Sequence, residues 1–132
     1  MNAAKAAIEQ AWSDIGKLPP GHAFRTPTGR RTFSLVSVEH GHLTIATAKS
    51  QASIDKADFE NALRYLMDQE HTVHSPCPIG SNKVYAKAGP LCQAARSASK
   101  GRMNITYVLP ILKEVGVVGI GSGMPSTAWF IG

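Results

Sequence analysis

Four side chains of metal-ligating type fall within one stretch: His71, His74, Cys77 and Cys92, spaced H-x2-H-x2-C-x14-C. A zinc ribbon needs paired CxxC ligands, and a zinc finger needs two histidines about one helical turn apart. Neither pairing is present in this spacing, so the expectation is two reduced thiols, one in a loop and one on a helix, with no metal. A Cys77–His74 nucleophile pair fails on geometry. Pro76 and Pro78 make the segment irregular, and a base must sit within hydrogen-bond reach of its thiol. Gly119-Ile-Gly-Ser-Gly123 has the glycine density of a phosphate loop. Such loops run from a strand into a helix whose N-terminal amides face the phosphate, and they carry a Lys-Ser/Thr pair. Here Pro125 and the β-prone run Thr127-Ala-Trp-Phe-Ile131 follow instead, so the segment reads as a hairpin turn. Ser122 does not stand in the G-x-S-x-G setting of a hydrolase nucleophile.

Charge is the stronger signal. The chain carries 14 Lys+Arg against 9 Asp+Glu, a formal net charge of +5. Residues 1–70 are balanced. Residues 71–132 hold Lys83, Lys87, Arg96, Lys100, Arg102 and Lys113 against the single acid Glu114. Between Glu70 and Glu114 there is no carboxylate. A field of this kind attracts polyanions or an acidic protein surface. General acid–base and two-metal chemistry lack their carboxylates there, so the expectation is a non-catalytic protein without a cofactor. Arg25, Arg30 and Arg31 surround a Thr26–Gly29 turn. They could add a second phosphate contact, although arginines at a hairpin tip are more often ordinary solvated surface.

The elements that must position these groups follow from periodicity. At 132 residues the chain is one domain, or two small lobes sharing a core. The division falls into a neutral half, 1–70, and a basic half, 71–132. Ala4, Ala7, Ile8, Ala11, Trp12 and Ile15 recur at helical spacing over 2–16, and Pro19-Pro20-Gly21 follows as a stop. Strands are expected at Phe33–Val38 and Leu43–Thr47, with short ones near His22–Arg25 and Ala52–Ile54, together an antiparallel meander. A helix over 55–69 carries the stripe Phe59, Ala62, Leu63, Leu66, Met67, with Asp55 as its cap. Val84 and Tyr85 are expected in a short strand, and 89–99 as a helix entered through Pro90. A second helix runs from Asn104 to Val115 despite Pro110. It leads into strands at 117–120 and 127–131, with Trp129 facing the core over Leu109 and Leu112. The fold class is α+β. No apolar run approaches the ~20 residues of a membrane span. Met1–Lys17 lacks the apolar centre of a signal peptide, so the expected compartment is the cytoplasm, with no membrane partner.

Helix, turn, helix, strand, glycine turn, strand is the order across 89–132. The stretch Ile105-Thr-Tyr-Val-Leu-Pro-Ile-Leu-Lys-Glu-Val-Gly-Val-Val-Gly-Ile120 resembles the recognition helix and first wing strand of winged helix-turn-helix proteins. The resemblance covers about a third of the chain, and Pro110 departs from the pattern. It implies a helix that reads the major groove and a wing beside the backbone. Lys100, Arg102, Asn104, Thr106 and Tyr107 match the helix start and its preceding turn. Ser122, Gly123, Met124 and Ser126 match the wing. Lys83, Lys87 and Arg96 supply further phosphate contacts. DNA or RNA is then the expected partner of a regulatory or accessory protein. The alternative is a modulator or inhibitor, of the kind phages use against nucleic-acid-handling complexes, docking an acidic protein through its basic face.

Overall fold

The computed structural model describes residues 3–96, 103–121, 123 and 125–131. The N-terminal helix α1 (Ala3–Ile15) buries Ala4, Ile8, Ala11, Trp12 and Ile15, the stripe its periodicity predicts apart from Ala7, which is half-buried. Four antiparallel strands follow: β1 (Ala23–Arg25), β2 (Thr32–Val38), β3 (His42–Ala46) and β4 (Gln51–Asp55). They pair in chain order β1-β2-β3-β4, as a meander. Phe33, Leu35, Leu43, Ile45 and Ile54 fill its inner face, each fully buried aliphatic side chain contributing roughly 1.5–3 kcal/mol. A register shift between Leu35 and Ser37 bulges β2.

Helix α2 (Lys56–Asp68) lies against α1, with the Trp12 and Phe59 rings edge-on at 5.2 Å. Trp12 also donates its Nε1–H to the Glu39 carbonyl at 2.8 Å, and Lys56 pairs with Glu9 at 2.6 Å. Asp55 occupies the N-cap position but makes no side-chain cap bond. At the other end Glu70 takes a left-handed conformation (φ 55°). There the Glu70 and His71 amides close back on Met67 and Leu66, the C-terminal lock that usually recruits glycine.

The basic half begins with β5 (Cys77–Pro78), which sequence patterning missed because two residues carry no period. Next comes a ten-residue loop, Gly80–Gly89, containing a 3-10 turn at Tyr85–Lys87. This corrects the expected strand at Val84–Tyr85: no partner strand meets it among the described residues, and both side chains are exposed. Helix α3 (Pro90–Ala94) starts on proline as expected but is shorter than 89–99; residues 97–99 lie outside the described residues. Helix α4 (Ile105–Glu114) contains Pro110 and ends at Gly116 (φ 78°), whose amide and that of Val117 return to Lys113 and Leu112. Strands β6 (Val118–Gly121) and β7 (Thr127–Phe130) form a hairpin, and β5 adds to it in the order β5-β7-β6. The helix–helix–hairpin order is therefore present, and the fold is α+β. The buried residues of both halves, from Ile8 to Ala128, form one core.

Trp129 does not face that core. Ala128 does, fully buried, and alternation along β7 sends Trp129 to the opposite face. Its indole lies flat on β6, where a Cβ on Gly119 would come within 2.3 Å of the ring. The aromatic pair Trp129-Phe130 made either phase of the strand plausible. Packing chose the small residue for the crowded side.

Candidate functional site

The helix expected to read a groove is almost wholly enclosed. Ile105, Val108, Leu109, Pro110, Ile111 and Leu112 are buried on α4. The helix packs on α2, β6 and β1. Tyr107, half-buried, sets its ring edge-on against Phe33 at 5.0 Å. Asn104, 3% exposed, donates from Nδ2 to the Asp58 carboxylate at 2.7 Å. It stands at the N-cap position without a side-chain cap bond and ties α4 to α2. Asn104 is therefore an internal strut, which corrects its placement on an outer reading face. Thr106 and Ser126 are half-buried, and Lys100, Arg102, Ser122 and Met124 lie outside the described residues.

Arg96 is likewise inside, at 0% exposure, and this changes its role from phosphate contact to scaffold. Its Nη1 donates to the carbonyls of Asn82 and Lys83 at 2.8 and 3.4 Å. Its guanidinium carbon sits 5.0 Å from the centroid of the Tyr85 ring, in cation–π range. Nε and Nη2 find no hydrogen-bond partner among the described residues. Burying such a charge is costly, and what it secures is the loop above it.

That loop is closed and internally braced. The Gly89 amide donates to the Gly80 carbonyl at 2.9 Å. The two glycines touch so closely that a Cβ on Gly80 would come within 2.8 Å of the Gly89 Cα. Gly80 also has φ 61°, a conformation that side chains resist. Asn82 Oδ1 accepts the Val84 amide at 2.8 Å, and Gln93 Nε2 donates to the Tyr85 carbonyl at 2.9 Å. Compact loops with close ends frequently carry function. This one displays Lys83, Val84, Tyr85 and Lys87 to solvent, with Val84 at 52% and Tyr85 at 53% exposure. No carboxylate stands in it. Charge alone points to Lys83 and Lys87 and passes over Tyr85 between them; the pair Gly80 and Gly89 is the sequence signal for a pinched loop.

A concavity of about 550 Å³ lies between the β1–β2 hairpin and the end of α4. Arg25, Thr26, Pro110, Lys113, Glu114 and Ile120 line it, and His22 contacts Glu114 at its margin. Arg25, Arg30 and Arg31 are exposed. The thiols of Cys77 and Cys92 are free and buried, Cys77 in β5 instead of a loop. Burial pushes the Cys77 thiol up to about 11, the reverse of the lowered value a nucleophile needs. His71 bonds the Ser75 carbonyl through Nδ1 at 2.9 Å and stacks on Tyr65. Among the described residues no three His, Cys, Asp or Glu side chains gather as a metal site. Gly119 and Gly121 belong to strand β6, in the hairpin expected for that glycine run. No helix among the described residues is long and apolar enough to cross a membrane. Comparison with protein-family models, curated proteins and solved structures finds no match.

Proposed function

We propose that the protein is a small, non-catalytic nucleic-acid-binding protein of the cytoplasm, acting in a regulatory or accessory role. The observation that carries this reading is the Gly80–Gly89 loop, where Lys83 and Lys87 flank an exposed Tyr85 above the buried Arg96. Lysines neutralise phosphates and an aromatic ring adds base contact. The loop lies in the carboxylate-free stretch between Glu70 and Glu114, so no acid within that stretch opposes an approaching polyanion. Lys100 and Arg102 add to the same stretch by sequence. The resemblance to winged helix-turn-helix proteins supports the class of partner. The burial of Asn104 and most of α4 argues against α4 as the reader.

The test is an electrophoretic binding series on the full chain with duplex DNA, single strands and RNA at two salt levels. The expected result is binding that weakens steeply with salt, because each phosphate contact releases roughly one counterion. No binding to any of them at low salt overturns the reading. The protein-docking alternative then takes its place, and the exposed Val84 beside Tyr85 suits it.

A further inference from the structure

We propose that the Gly80–Gly89 loop is a stacking site for single-stranded nucleic acid, in which Tyr85 packs on an unpaired base and Lys83 and Lys87 hold the adjacent phosphates. The proposal rests on the nucleic-acid reading above and selects one form of it. Three observations carry it.

Duplex readout by a winged helix-turn-helix places a helix with a free polar face at its N-terminal end in the major groove. Helix α4 has none: Asn104 and Ile105 are buried, Thr106 is half-buried and Tyr107 packs on Phe33. Its exposed positions, Lys113 and Glu114, lie at the opposite end.

Tyr85 offers what a duplex cannot use. The guanidinium of Arg96 occupies one side of the ring at 5.0 Å, and the residue remains 53% exposed. Within a duplex the faces of the bases are hidden by stacking; in a single strand they are available to aromatic side chains, with little dependence on base identity. The cation beneath the ring also adds positive potential where the strand would lie.

The loop is preformed. The Gly80–Gly89 pinch, the two Arg96 bonds, the Gln93 bond and the Asn82 turn hold its backbone before any ligand arrives. Ordering costs on binding are correspondingly small. DNA and RNA single strands share the chemistry used here, a base face between phosphates.

The test measures fluorescence anisotropy of the full chain with labelled oligo-dT, oligo-rU and a mixed-sequence duplex, each about 20 units long to exceed a single-module footprint. The variants are Tyr85→Phe, Tyr85→Leu and the double change Lys83→Ala/Lys87→Ala, each checked by circular dichroism. Single strands are expected to bind at least about tenfold tighter than duplex. Tyr85→Leu should weaken them about 5- to 150-fold without altering the salt slope, and Tyr85→Phe should retain most of the affinity. The double lysine change should lower the slope by up to about two. Equal affinity for duplex, or a Tyr85→Leu protein that binds like the parent, overturns the stacking site and leaves nucleic-acid binding standing. A Tyr85→Phe loss as large as that of Leu also overturns it. Failure to bind every probe at low salt overturns both readings. The dT and rU arms decide between DNA and RNA as the preferred source.

Discussion

Helix α4 and the Gly80–Gly89 loop both lie in the basic half, yet the chain uses them in opposite ways. Helix α4 has the pattern of a reading helix and is spent on the core: six of its residues are buried, and Asn104 before it is bonded inward. The loop has no period and two prolines before it, and it carries the most exposed aromatic ring among the described residues of the basic half. The difference comes from neighbours. A helix flanked by two sheets is covered on both sides. A loop pinched at its ends and held from below must turn its middle outward.

The largest expected effect tests whether α4 is core. Leu109, fully buried, should cost about 2–5 kcal/mol when replaced by alanine. Tyr85→Ala should cost less, about 0.5–2 kcal/mol, because it gives up only the ring's contact with the Arg96 guanidinium. Urea unfolding of the two variants measures both. A Leu109→Ala protein as stable as the parent would return α4 to the surface and erase the contrast.

The root of the loop is next. Burial raises the Cys77 thiol from its ordinary value to about 11. The folded state therefore holds this proton more tightly than the unfolded chain does. Its contribution is complete below the unfolded value, near pH 9, and is lost as pH rises toward 11, at most about 3 kcal/mol. Urea midpoints at pH 7.5 and 10.5 should fall less for Cys77→Ala than for the parent. Equal slopes would mean that β5 opens freely and that the loop has no firm base. The raised Tyr65, also moved by burial and then by Cys77, acts in the same direction.

How much of this was legible in the sequence depends on the kind of signal. Helices α1 and α2 and the meander announce themselves by period, and the helices' buried stripes match except at Ala7 and Met67, which are half-buried, and at Asp58, which is buried without being expected. Strand β5 is too short for any period, and its pairing with β7 is a tertiary fact. For Trp129 and Ala128 the alternation was visible but its phase was not. Charge singled out Lys83 and Lys87, which are exposed. It misassigned Arg96, because a cation's burial depends on carbonyls supplied fourteen residues away by Asn82. Polarity alone likewise placed Asn104 outside, whereas Asp58 on another helix draws it in.

Asn104→Ala should accordingly cost about 1–3 kcal/mol by stripping a partner from a buried carboxylate, and it should leave nucleic-acid sequence preference unchanged. Chemical denaturation and a competition assay with mixed-sequence oligonucleotides report the two quantities. A change in preference at unchanged stability would restore α4 as the reader.

The smallest expected effect separates the loop from the field around it. Glu70 is the last acid before the basic stretch and the one non-glycine residue with positive φ among the described residues. A side chain in that conformation costs roughly 1–2 kcal/mol, part of which glycine gives back through the entropy of the unfolded chain. Glu70→Gly should therefore stabilise the fold by up to ~1 kcal/mol, seen as a higher urea midpoint. It also removes one negative charge. If local contacts in the loop dominate, affinity for a single strand should change less than about twofold, because an exposed charge away from the contacts is screened within ~8 Å at physiological salt. Lys83→Ala, inside the loop, should weaken the same strand by more. Equal and opposite changes in the two variants would show that the summed charge of the basic half governs binding, and the loop would lose its separate standing.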